Sequence, residues 1–251
     1  QNSTRLHYLG HIEYECENFK KAEKHYTDYL KVVPNDSHIL AHLGMVNYYL
    51  DDEKESRKNL EKSLEIDGED IDAHHYLAHI LENKDYQKAI EHYDKILEID
   101  KENEEIMMHK GWCYYNRHDY ENAKRVVDEL GKLSKIEPYI QSQIFEMRGM
   151  ISCDNHEYEM SRKYLEDARK KDEENYNATE YLGHLEWING NEEVAMDLFD
   201  DLREPQKSER RSNFKEVKQS LGILRTKQDI INEIKKDDLT ETQTFEIKSS
   251  M

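Results

Sequence analysis

Apolar residues recur at helical spacing in blocks of about a dozen positions, and short polar stretches separate the blocks. The pattern predicts pairs of amphipathic helices. In the first pair one helix (A) covers Leu6 to Glu17, Asn18 turns the chain, and a second (B) covers Phe19 to Val33. Pro34-Asn35-Asp36 then breaks the chain. Later pairs turn at Asp51-Asp52, Lys84-Asp85, His118-Asp119, Asn155-His156 and Gly190-Asn191. A small residue marks each A helix: Gly10, Gly44, Ala78, Gly111, Gly149 and Gly183, at steps of 34, 34, 33, 38 and 34. A second marks each B helix: Ala22, Ser56, Ala89, Ala123, Ser161 and Ala195. Two markers in register over this period predict a stacked array whose core is shared between neighbours. The step of 33 follows from a third turn one residue short. The step of 38 is ascribed to a longer connector around Pro138.

Two antiparallel helices joined by a short turn must approach closely, which explains the small residues. Bulky partners fill the remaining space. Phe19, Tyr86, Tyr120 and Tyr158 follow the turns. Tyr26, Leu60, Tyr93, Val127, Leu165 and Phe199 sit four residues after the B-helix marker, on its face.

Composition narrows the function. The chain has 251 residues and a formal net charge of -19, which disfavours free nucleic acid and anionic membranes as partners and leaves a basic or apolar protein segment as the better fit. No apolar run is long enough to span a bilayer. Cys16, Cys113 and Cys153 are far apart in sequence and read as reduced thiols, which suits a cytoplasmic setting. The sequence opens at Gln1, so upstream residues are expected, and secretion, a lumenal location or anchoring stays open.

The markers resemble the tetratricopeptide repeat. Leu9-Gly10, Ala22, Tyr26 and Pro34 match its pattern in the first repeat, and Leu43-Gly44 and Leu182-Gly183 match in the second and sixth. Glu13 and Asn47 depart from it, standing where an apolar or aromatic residue is usual. The resemblance implies an all-α, right-handed α-solenoid of six repeats, at about 3–36, 37–70, 71–103, 104–137, 139–175 and 176–207. Beyond these, Phe214, Val217, Leu221 and Leu224 form an apolar stripe, read as a capping helix over 208–236. Residues 237–251 are expected to be extended or mobile, with an alternating patch at Thr244 to Ile247.

The resemblance further implies a concave surface lined by A helices. The residues assigned to that groove are His7, His11, His38, His42, Tyr48, His75, Tyr76, His79, His109, Trp112, Tyr115, Tyr181, His184 and Trp187. Met45, Met108, Met147 and Met150 are placed on the same face. Members that grip a C-terminal carboxylate use Lys, Arg and Asn on the first three A helices. The matching places here are His7, His11, His42, Asp72 and Tyr76, so that clamp is absent. The expected function is a non-enzymatic scaffold that binds a peptide or helix of another protein, with self-association open.

One chemical alternative stands beside it. His7/His11, His38/His42 and His75/His79 are spaced i, i+4 on successive A helices, a spacing that can chelate a transition metal. Asp72 or Glu82 could add a ligand. No Gly-rich phosphate loop, nucleophile elbow or metalloprotease motif is present, so neither an enzyme nor a cofactor is implied.

Overall fold

The computed structural model describes residues 3–202. The proposed cap over 208–236, the tail over 237–251 and the patch at Thr244 to Ile247 lie outside the described residues. The described residues form twelve helices in six antiparallel pairs. The A helices are α1 (Ser3–Glu15), α3 (Ser37–Tyr49), α5 (Ile71–Leu81), α7 (Glu104–Asn116), α9 (Pro138–Asp154) and α11 (Tyr176–Ile188). The B helices are α2 (Phe19–Leu30), α4 (Glu53–Ile66), α6 (Tyr86–Ile99), α8 (Tyr120–Leu130), α10 (Tyr158–Lys171) and α12 (Glu192–Asp201).

The turn within each pair has a fixed hydrogen-bond geometry. Asp51 N–H donates to the Tyr48 carbonyl, and Asp52 N–H reaches back to Asn47. The same two bonds recur around Glu17, His118, His156 and Gly190. This is the Schellman arrangement, which needs a left-handed residue after the helix. Among the described residues those five are the ones with positive φ, and only one of them is glycine. The third turn contains no left-handed residue. There Lys84 and Asp85 N–H both bond to the Leu81 carbonyl, which accommodates the missing residue. Side-chain caps then start the next helices: Asp52, Asp85 and Asp119 each accept a backbone N–H three residues on.

The step of 38 has a different origin from the one expected. In five A helices the small marker lies seven residues after the first helical residue, but Gly149 lies eleven after Pro138. The four extra residues form one more helical turn at the start of α9. Proline suits that first position because its missing N–H would be unpaired there anyway.

The small markers act as expected, with one exception. All six B-helix markers are fully buried. A Cβ at Gly10, Gly44, Gly149 or Gly183 would fall 2.3–2.7 Å from Tyr26, Leu60, Leu165 or Phe199, the residues four after those markers. At Gly111 the nearest atom is Met147 Sδ of the next A helix, at 3.3 Å. Buried layers run along the array, each shared by one pair and the A helix that follows. Asn47, at an aromatic place of the family pattern, is buried between Glu23 and Asn59, donating to the first and accepting from the second (3.1 and 3.0 Å).

Successive A helices touch one another. Side chains meet between α1 and α3, α3 and α5, α5 and α7, α7 and α9, and between α9 and the Asn175 cap of α11. Successive B helices do not pack so closely among the described residues. The A helices therefore form the more closely packed face of the array.

Candidate functional site

Every groove residue assigned from sequence is at least partly accessible, and His38 and Tyr48 are exposed. The methionines are not. Met45, Met108, Met147 and Met150 are buried, because those A-helix positions pack against neighbouring helices rather than facing the groove.

Four histidines gather at the first joint. His7 and His11 face each other through Nε2 atoms 2.7 Å apart. The ring of His11 lies 4.5 Å from His42, which lies 4.7 Å from His38. Burial, reinforced by His11, His38 and His7, lowers His42 to about 4, and burial with His7 and His38 also lowers His11. His42 Nδ1 is buried without a hydrogen-bond partner.

An aromatic stripe follows. Tyr14 meets Tyr49, which stacks on Phe19, and Tyr49 and Tyr76 join hydroxyls at 2.8 Å. Tyr48 sits edge-on to Tyr76 at 5.3 Å. Farther along, Trp112 sits edge-on to Tyr115, whose hydroxyl donates to Asp154 at 2.7 Å. Tyr181 and Cys153 pack against one buried cluster that includes Leu165 and Leu182, and His184 lies 5.1 Å from Phe199. Trp187 is half-buried at the end of α11. Burial raises the Tyr76, Tyr115 and Tyr181 phenols well above their usual range, so they remain hydrogen-bond donors at neutral pH.

The third joint differs from the others. Glu82 is buried at the C-terminus of α5 and accepts from His109 Nδ1 (2.9 Å), His79 Nδ1 (3.3 Å) and the Tyr93 hydroxyl. His79 Nε2 in turn faces His75 Nε2 at 2.7 Å. Burial alone would raise the Glu82 carboxyl, but the bonds from His109 and His79 outweigh it and hold the group below the usual carboxylate range. Burial opposes charge on His109, yet Glu82 raises it above the ordinary histidine value. His75 is lowered to about 4, by burial first and then by His79 and His109.

Two of the three i, i+4 pairs thus bring their ring nitrogens together, and the third, His38/His42, brings its rings into contact. Among the described residues, however, the one group of three possible metal ligands is His79, Glu82 and His109. Asp72 is not part of it. His109 was expected in the groove but not as a ligand, because its partners lie 27 and 30 residues away rather than on its own helix. The repeat register carries the missing signal. At the first three joints the residue four after one A-helix marker meets the residue two before the next. Tyr14 meets His42, Tyr48 meets Tyr76 and Glu82 meets His109.

Twelve helices stacked as successive helix pairs, with side chains meeting from one A helix to the next, define a helical repeat solenoid. Profiles described as tetratricopeptide repeat match residues 37–70, 81–141 and 152–209. The chain belongs to the tetratricopeptide repeat family. No curated protein matches significantly. Among solved structures, a tetratricopeptide repeat protein from Parabacteroides merdae is similar, at 14% identity and a TM-score of 0.70, covering 92% of this chain and 96% of that one. PilW, a type IV pilus biogenesis factor, is similar at 13% identity and a TM-score of 0.66, with 81% and 93% covered. MamA follows at 18% identity and a TM-score of 0.60, with 68% and 92% covered. These likenesses concern the fold. Among the described residues no helix is long and apolar enough to cross a membrane.

Proposed function

We propose that this chain is a non-enzymatic scaffold that holds an extended or helical segment of a partner protein along its A-helix face. Tyr48, Tyr76, Trp112, Tyr115 and Trp187 are the anchors. The observation that supports this most is the accessible run of aromatics and histidines, set in a chain whose net charge is -19. Aromatic side chains on a concave surface offer large contact area with little conformational entropy to lose. The acidic surround steers basic partners by a field that salt weakens. A carboxylate-gripping role fits poorly. No lysine stands at those places, and His42, one of the residues in them, is held neutral at physiological pH.

The test is a pull-down comparing wild type with Tyr48→Ala and Trp112→Ala, each shown by circular dichroism to keep its helices. The proposal expects both variants to lose the same specific partners and to lose them faster in high salt. An unchanged partner set in both folded variants would contradict it.

A further inference from the structure

We propose that the joint between the third and fourth repeats is a binding site for a divalent transition-metal ion of the zinc class, with His79, Glu82 and His109 as its protein ligands. The proposal stands apart from partner binding in the groove.

The geometry carries it. The two ring nitrogens that face Glu82 are 2.9 and 3.3 Å from its oxygens, and the three ligand atoms lie within 4.8 Å of one another. A tetrahedral zinc ion with ligand bonds of about 2.0–2.1 Å places neighbouring ligand atoms about 3.3 Å apart. The carboxylate and the two imidazoles therefore stand near coordinating distance already. Two imidazoles and one carboxylate are a donor set that zinc accepts readily, with the fourth position left for water.

The surroundings supply the outer contacts that such sites need. When the ion takes the Nδ1 lone pair, each neutral imidazole carries its single proton on Nε2. For His79 that N–H points at His75 Nε2, 2.7 Å away, which accepts it. Any excess proton leaves to solvent. The Tyr93 hydroxyl donates to the carboxylate from the buried side. Access is also provided: the Glu82 side chain is 7% exposed, but those of His79 and His109 are 22% and 27% exposed.

The register of the array singles out this joint. The position occupied by Glu82 carries Tyr14, Tyr48, Tyr115, Cys153 and Trp187 in the other repeats. A carboxylate replaces them only here, in the repeat whose turn is one residue short. The His7, His11, His38 and His42 group has more imidazoles, but among the described residues it offers no three ligand atoms close enough to share one ion.

Zinc chloride is titrated into the whole chain by calorimetry with a competing chelator, and cobalt chloride by absorption spectroscopy. The proposal expects one equivalent bound and a cobalt spectrum of a four- or five-coordinate site with nitrogen ligands. His109→Ala and Glu82→Gln should weaken zinc by more than about 100-fold, and His75→Ala by about 10–100-fold, the range for an outer contact. His7→Ala with His11→Ala should leave the affinity unchanged. Saturating zinc should raise the thermal midpoint of wild type and not that of His109→Ala. Zinc binding that survives in folded His109→Ala, or that disappears with the His7 and His11 pair, would overturn the assignment. So would an octahedral cobalt spectrum or the absence of one-equivalent binding. The cobalt spectrum needs no variant, so a misfolded substitution does not blunt the test.

Discussion

Replacing Gly44 and Gly111 by alanine should have opposite consequences, although the two occupy the same place in their repeats. At Gly44 an added Cβ would lie 2.5 Å from Leu60 Cγ, 2.6 Å from its Cδ2 and 3.2 Å from the Ser56 carbonyl. Leu60 is fully buried and Cγ is its branch point, so no rotation of a free end relieves the clash. The Ser56 hydroxyl also donates to the Gly44 carbonyl at 2.7 Å, which ties α4 to α3. Overpacking of this kind costs about 1–3 kcal/mol. Alanine returns about 1 kcal/mol of helix propensity. With the clash at the upper end of its range, Gly44→Ala should lose about 2 kcal/mol, a fall of roughly 4–8 °C in the thermal midpoint. At Gly111 the nearest atoms are Met147 Sδ and Cε, at 3.3 and 3.4 Å, the mobile end of a thioether. The propensity gain should survive there, leaving Gly111→Ala unchanged or up to about 1 kcal/mol more stable. Ala78 occupies this place naturally in the third repeat. Thermal and urea unfolding of the two variants side by side provide the assay. Equal destabilisation, or a greater loss at Gly111, would refute the packing argument.

Other expectations follow from the same contacts. His118 holds a left-handed conformation that favours glycine, so His118→Gly should stabilise the chain by about 1 kcal/mol in urea unfolding. Asn47→Ala leaves Glu23 and Asn59 without their partner and should cost about 1–3 kcal/mol in the same assay. Burial, foremost, holds His42 and His92 near 4 in the fold, against 6.5 when unfolded. The unfolded chain therefore binds more protons between these values, so this contribution to stability is complete above about 6.5 and is lost as pH falls towards 4. Thermal midpoints in metal-free buffer should drop over that window, and less steeply in His42→Gln/His92→Gln.

The array was legible in the sequence because close helix packing admits only small residues, and their spacing survives in one dimension. The turns were legible too: Asp51, His118, His156 and Gly190 were all read as turn residues, and each takes the left-handed conformation. The extra turn of α9 was not, since a proline that closes a connector and one that opens a helix look alike before the helix is seen. The groove methionines were misplaced for a related reason. A face that lines the groove near its centre packs against the next A helix at its edges, and single-helix periodicity cannot separate the two. The histidine pairs were visible because they lie on one helix, whereas Glu82 and His109 meet across two. Only the inter-repeat register brings such residues together.

Partner binding on the A-helix face can be tested directly. A photo-crosslinking amino acid placed at Tyr48 on that face, and at Lys58 on the exposed side of α4, tests it in the cell of origin. Binding on this face should give one discrete set of crosslinked protein segments from position 48, suppressed by Trp112→Ala, and none of them from position 58. Capture of the same segments from position 58, or capture from position 48 that Trp112→Ala leaves intact, would contradict it.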